Sequence, residues 1–216
     1  MARLSRAPSN MEARHLSPKF EEAFQLAFEL HQTKGKQGRK GKDTPYVSHL
    51  MAVAALVLEF GGSEEEAIAA LLHDAVEDQG GPKTLKLIEE RFGAKVAKIV
   101  ADCSDCDGDP KPAWRERKRK YIEHLPHVSE SSRRVSLADK IHNAGTILRD
   151  LRHHGAKTFD RFNGKRSGTL WYYDALARTF LEQKRDEMAK ELDRIVGELY
   201  GAAHEERPTE LKFPEN

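Results

Sequence analysis

Leu71-Leu72-His73-Asp74-Ala75-Val76-Glu77-Asp78 sets a histidine and an aspartate side by side inside an apolar helical run. Neither has an evident local partner, and burying an unpaired carboxylate is very costly. A metal ion resolves the conflict. Glu77 and Asp78 repeat the pattern one turn later, and positions four apart share a helix face. One continuous helix is therefore expected to carry His73/Glu77 and Asp74/Asp78 on two adjacent faces. Ser63-Glu64-Glu65-Glu66 reads as a capping box that opens this helix, and Gly80-Gly81-Pro82 ends it.

A His-Asp pair alone says little, and its companions carry the argument. His49 lies upstream in Thr44-Pro45-Tyr46-Val47-Ser48-His49. Asp139 lies downstream in Ser136-Leu137-Ala138-Asp139-Lys140-Ile141-His142-Asn143, a second polar group set in an apolar helical pattern. His49, His73, Asp74 and Asp139 together make a mixed nitrogen and oxygen donor set. Such a set suits Mn, Fe or Zn with positions left open for water.

The rest of the chain reads as helical. Ser17-Pro18 opens a helix as N-cap and first residue, with Phe20, Ala23, Phe24 and Ala27 on one face. Thr44-Pro45 or Ser48 opens the next, which stops at Gly61-Gly62. Further helices are predicted at about 85–91, 94–102, 114–125 and 132–153, and a last one at about 169–200. Asp105 to Pro112 reads as a loop. Strand-like alternation is missing, so the fold class is all-α. The domain is expected to span 17–200, with 1–16 and 204–216 as loosely ordered tails.

Composition narrows the function classes. The chain's 216 residues fit one domain, and 38% apolar with 33% charged content describes a soluble protein. A formal net charge of +1 gives no global field for nucleic acid. Met1 to Asn10 is polar and basic, and no window approaches the ~20 apolar residues of a membrane span. Cys103 and Cys106 cannot supply a disulfide framework, which makes a reducing cytoplasm the default, and their Cys-x-x-Cys spacing reads as incidental.

Local charge is another matter. Lys34 to Lys42 packs five cations and three glycines shortly before His49. Glycine lets backbone approach a ligand closely, and the cations can neutralise phosphate. Arg115 to Lys120 is a second basic run, read as a solvated helix face. Arg161, Lys165 and Arg166 form a third cluster, in which Arg166 is the candidate for a phosphate. Asn143 and Thr146 share a helix stripe with Asp139. Trp171, Tyr172 and Tyr173 read as core or pocket wall, with Tyr173 as the candidate for a ribose contact. His31, His142, His153 and His154 read as structural or exposed, His142 pointing away from the metal stripe by helical phase.

Pro45-Tyr46 before His49, the His73-Asp74-Ala75-Val76-Glu77-Asp78 block and Leu137-Ala138-Asp139-Lys140-Ile141-His142-Asn143 resemble the hydrolase domain of the RelA/SpoT family. That domain belongs to the HD metal-dependent phosphohydrolase superfamily. The likeness runs over about residues 20–181, in the same order and similar spacing. The His-Asp-x-x-Glu-Asp form, with Leu-Ala-Asp-Lys-x-His-Asn, points to the alarmone-hydrolysing branch. Leu50 departs from the proline usual after the first metal histidine. The segment from Arg161 to Thr169 also fits the family pattern poorly.

The resemblance implies an HD-domain helical bundle around a single metal site. It implies a stand-alone guanosine-3′,5′-bis(diphosphate) 3′-pyrophosphohydrolase, since 216 residues leave no room for a synthetase domain. His49, His73, Asp74 and Asp139 would hold one Mn²⁺ per chain, with Zn, Fe and Co as alternatives, and Glu77 and Asp78 would activate water. Arg39 matches the arginine that stacks on guanine, Lys40 follows it in the loop, and Asn143 and Thr146 match residues around the nucleoside. The implied partner is (p)ppGpp, with no nucleic acid and no membrane. Three rival readings stand beside it: hydrolysis of another nucleotide (an adenosine 3′-pyrophosphate alarmone, a dNTP or a cyclic nucleotide), a non-catalytic alarmone-binding module, and a nucleic-acid binder that uses the basic loop.

Overall fold

Ten α-helices among the described residues trace the chain in a computed structural model that describes residues 15–104 and 112–212. Helix α1 (Pro18–Phe28) begins where Ser17 accepts from the Lys19 amide, with proline at its first residue. Helices α2 (Val47–Glu59) and α3 (Glu64–Leu72) follow. The α3 start is a reciprocal capping box between Ser63 and Glu66. A single turn, α4 (Ala75–Asp78), leads to α5 (Pro82–Phe92) and α6 (Ala94–Cys103). Helix α7 (Trp114–His124) precedes α8 (Glu130–His154), the longest, which ends at Gly155 in the left-handed region (φ +65°). A 3₁₀-type segment (Gly155–Arg161) joins it to α9 (Lys165–Gln183) and α10 (Glu187–Ala202). No strand occurs among the described residues, and one isolated bridge pairs Gly38 with Pro45.

Helix α3 explains where the site comes to lie. From Glu66 to Leu72 it is buried on every face, as a helix apolar all round must be. It packs against α1, α2, α6 and α8, and Ala67, Ala69 and Ala70 let those neighbours approach closely. Its C-terminal end therefore delivers His73 and Asp74 into the middle of the bundle. Helix α8 is the second spine, packed against α2, α3, α6 and α10, and it brings Asp139 to the same place. Leu50, Leu71, Leu72, Leu137, Leu176 and Phe180 are among the largest fully buried side chains around them.

Two expectations change. The helix through His73 is not continuous: α3 stops at Leu72, and Asp74 sits at φ −96°, ψ −1°. The His73 imidazole Nδ1 donates to the Ala70 carbonyl at 2.8 Å, an oxygen the next amide of an unbroken helix would use. The last helix is likewise two. Asp186 caps α10 by accepting from the Ala189 amide, while Arg133 reaches from α8 to the Phe180 and Lys184 carbonyls and to Asp186. Those partners satisfy the end of α9 and make the break stable. After His204, several of the described residues meet the bundle. Arg207 pairs with Asp174 and Asp193, and Arg178 donates to the Pro208 and Thr209 carbonyls. The predicted 105–112 loop, Cys106 and most of the N-terminal tail lie outside the described residues.

Candidate metal centre

His73, at the end of α3, fixes its own chemistry. A carbonyl can only accept, so the bond to Ala70 places one proton on Nδ1 and leaves Nε2 aimed at the site, where a metal ion would take the place of its second proton. His49, on the first turns of α2, also points Nε2 inward, while its Nδ1 lies 2.7 Å from Nδ1 of His142. Both Nε2 atoms are buried and make no hydrogen bond. They face two carboxylates. His73 Nε2 is 3.0 Å from Asp74 Oδ2 and 3.6 Å from Asp139 Oδ1, and His49 Nε2 is 3.2 Å from Asp139 Oδ1 and 3.6 Å from Asp74 Oδ2. Two donor atoms about 2.1 Å from one ion lie roughly 3.0–3.4 Å apart at octahedral or tetrahedral angles. The spacing fits a divalent ion.

Electrostatics agrees with geometry. Burial opposes charge on His73, Asp74 and Asp139, but mutual attraction wins. Asp74 and Asp139 hold the His73 imidazole well above its ordinary value. His73 holds Asp74 well below the carboxylate range, and Lys140 does the same for Asp139. A centre that favours a positive charge so strongly suits a cation. Among the described residues, His49, His73 and Asp74 form the one tight group of possible ligands, with Asp139 alongside on α8.

A shell of partners orients these groups. The Tyr46 hydroxyl donates to Asp74 Oδ2, and burial and that carboxylate push the phenol well above its ordinary value, so it remains a donor. The Tyr46 ring stacks on His31 at 5.2 Å and lies 5.6 Å beneath the Arg39 guanidinium. Asn143 donates to Asp139 Oδ1, and Lys140 to Oδ2 at 2.6 Å. Burial, His49 and Arg39 push His142 down to about 4, so it is a neutral partner able to accept from His49 Nδ1.

Above the centre opens a cleft of about 230 Å³, and a second lobe of about 210 Å³ adjoins it across shared lining residues such as Lys40, Asn143 and Tyr173. Arg39, Lys40, Lys42, Lys118, Lys140 and Arg161 line the first lobe against three acids, Asp74, Glu77 and Asp139. Aromatic side chains of Trp114, Phe162, Tyr172 and Tyr173 line the second. A cation-rich cleft beside an apolar wall suits a phosphorylated aromatic ligand.

Most of the predicted site residues converge here, namely the four ligand candidates with Glu77, Arg39, Lys40, Asn143, Thr146 and Tyr173. Asp78 does not line the cleft: it is exposed, and its carboxylate accepts from Gln37 at 2.7 Å. Arg166 is elsewhere. As the second residue of α9 it turns toward the end of α10, where it meets the Ala203 carbonyl and Glu205. Arg161, from the same cluster, is the one that enters the cleft. Lys118 leaves the expected solvated face to sit 5.0 Å from the Tyr172 ring. His142 corrects the helical-phase reading, because α2 comes up against that side of α8. Tyr46 was part of the motif but carried no role, since its bond to Asp74 spans 28 residues. Cys103 also touches the cleft; burial raises its thiol to about 11.

Comparison with known proteins gives a consistent picture. Residues 23–170 match the HD domain family. The chain is 42% identical over 134 residues to the guanosine-3′,5′-bis(diphosphate) 3′-pyrophosphohydrolase MESH1 of Xenopus tropicalis, covering 61% of this chain and 68% of that protein. It is 38% identical over 132 residues to the human MESH1, covering 60% and 68%. With the bifunctional (p)ppGpp synthase/hydrolase SpoT of Escherichia coli it shares 33% over 133 residues, 60% of this chain and 18% of that protein. A solved structure of a metazoan ortholog of SpoT, described as hydrolysing ppGpp, superposes with a TM-score of 0.67 at 28% identity. That match covers 85% of this chain and 96% of the other.

Proposed function

This chain belongs to the HD-domain family, and from that premise we propose that it hydrolyses the 3′-pyrophosphate of guanosine alarmones, converting (p)ppGpp to GDP or GTP and pyrophosphate. The observation that carries the proposal is the pair of buried imidazole Nε2 atoms without hydrogen bonds, facing two carboxylates on the floor of a cation-lined cleft. His49, His73, Asp74 and Asp139 are the proposed ligands of one divalent ion, Mn²⁺ by family likeness. Such an ion supplies Lewis-acid polarisation of a phosphate oxygen and makes water more acidic.

The chain's own groups do the rest. Glu77, on the cleft wall, takes a proton from the attacking water. The water oxygen bonds to the phosphorus next to the ribose 3′-oxygen. The bond between that phosphorus and the 3′-oxygen breaks, and the 3′-oxygen leaves as a hydroxyl that takes up the proton Glu77 removed from the water. Arg39 and Lys40 place the nucleotide from the basic loop, Asn143 and Thr146 hold the nucleoside from α8, and Tyr173 meets the ribose. Asp78 acts from outside the cleft by holding Gln37. The proposed catalytic unit is 17–200. No helix among the described residues is long and apolar enough to cross a membrane, and a cytoplasmic enzyme is the reading we adopt.

The test is pyrophosphate release from ppGpp by purified protein with Mn²⁺, repeated with EDTA and with His73→Ala/Asp74→Ala. Release that depends on metal and disappears in the variant is the expected result. No release despite intact metal binding overturns the guanosine assignment.

A further inference from the structure

The loop from Gly35 to Pro45 carries Arg39 and Lys40 over the cleft and should be floppy by composition. It contains three glycines, and its cations repel one another. Gln37 ties its first residues to His31, Asp78 and Gln79, but beyond Gln37 its backbone bonds are few: Arg39 N to the Thr44 carbonyl, Lys42 N to the Arg39 carbonyl, and Tyr46 N to the Gln37 carbonyl. Something outside the loop must hold it.

Asp150 stands where such an anchor is needed. It lies on α8 eleven residues beyond Asp139, on the stripe that also carries Asn143 and Thr146, and it is only 6% exposed. Its Oδ1 accepts from Lys42 of the loop at 2.6 Å, and its Oδ2 accepts from Arg161 of the segment after α8. Arg161 also touches the loop directly. Gly41 has φ +69°, and a Cβ there would come within 3.1 Å of the Arg161 Cδ, so loop backbone rests on the arginine stem. Lys40 adds a longer tie to Asn163 at 3.4 Å. Burial works against the Asp150 charge, but Lys42 and Arg161 keep its carboxyl below the ordinary range, so the clamp is ionic at neutral pH.

We propose that Asp150 is a positioning residue for the substrate loop: one nearly buried carboxylate binds Lys42 and Arg161 together and so fixes where Arg39 meets the nucleotide. Arg39 shows the result, with its guanidinium 2.6 Å from Asn143 Oδ1 and stacked over Tyr46. Asp150 itself does not line the cleft, and it reaches the site only through Lys42 and Arg161, which do. The proposal rests on the alarmone-hydrolase reading for its kinetic consequence but not for the clamp itself.

The experiment compares Asp150→Asn, Arg39→Ala and the double variant with the parent enzyme on ppGpp with Mn²⁺. Limited cleavage within the loop by a protease of broad specificity, proteinase K, is followed in parallel. Asp150→Asn should raise KM about tenfold while kcat stays within about threefold. It should also speed loop nicking, because local opening is no longer held back. In the Arg39→Ala background it should add little. Unchanged KM and nicking, or a KM effect that adds in full to Arg39→Ala, overturns the proposal. Should Asp150→Asn fail to fold, Lys42→Met breaks the same clamp from the loop side and must give the same faster nicking. If the parent enzyme releases no pyrophosphate from ppGpp, the functional reading falls, and the nicking comparison with Lys42→Met and Asp150→Asn still decides the clamp.

Discussion

Tyr46→Phe removes one atom from the site and should change metal affinity by a predictable amount. The hydroxyl donates to Asp74 Oδ2, on the residue whose side chain approaches His73 Nε2 at 3.0 Å. Phenylalanine keeps the ring, and with it the stack on His31 and the Arg39 contact, so packing loss is small. A hydrogen bond to a charged group contributes about 1.5–3 kcal/mol. Groups that orient metal ligands typically change affinity 10–100-fold, which is about 1.4–2.7 kcal/mol, so two independent arguments agree. The assay is Mn²⁺ titration by calorimetry, with thermal melts at one fixed Mn²⁺ concentration well above both dissociation constants. The variant should bind 10–100-fold more weakly, and its metal-loaded Tm should fall by roughly 3–10 °C, at ~2–4 °C per kcal/mol for a domain of this size. The metal-free Tm should fall as well, because the bond is present without metal, and the titration isolates the effect on Mn²⁺ affinity. Equal Mn²⁺ affinity in the two proteins would refute the reasoning, since the Asp74 bond would then be irrelevant to the centre.

Other variants separate groups that look alike in sequence. Glu77→Gln should lower kcat by about 10²–10⁴ with Mn²⁺ still bound, whereas Asp78→Asn should cost no more than about tenfold; equal losses would return Asp78 to the cleft. Asp186→Ala removes the α10 cap and one partner of buried Arg133, and should destabilise by about 2–4 kcal/mol in urea melts. Burial raises the Asp186 carboxyl, but Arg133, the Ala189 amide and Lys184 together lower it more, so its folded value lies below the unfolded one. Its contribution is therefore present above about pH 4 and lost as pH falls through the folded value, and Asp186→Ala should flatten that acid limb of the stability curve. With Cys106 replaced by serine, Cys103 should resist iodoacetamide at pH 8, where a thiol near 11 is ionised in roughly one molecule in a thousand. Rapid alkylation at pH 8 would show that burial does not protect it.

Sequence alone determined what depends on neighbours within a turn or two. Ser17-Pro18 and the Ser63/Glu66 capping box start α1 and α3 as read, because a cap is a contact between residues two or three apart. It also singled out His49, His73, Asp74 and Asp139, because polar groups embedded in apolar helices need a reason to be buried. Helical phase then relates residues on one helix, and there its reach ends. That Tyr46 meets Asp74, that His142 meets His49 and that Asp150 binds Lys42 are facts about which helix faces which. Both helix breaks have the same origin, a side chain that takes a backbone carbonyl: His73 at Ala70, and Arg133 at Phe180 and Lys184 from 47 and 51 residues away. Arg161 and Arg166 are indistinguishable as letters, and one enters the cleft while the other turns to α10. Only tertiary packing decided between them, because the direction of a side chain depends on where its helix begins and what lies across from it.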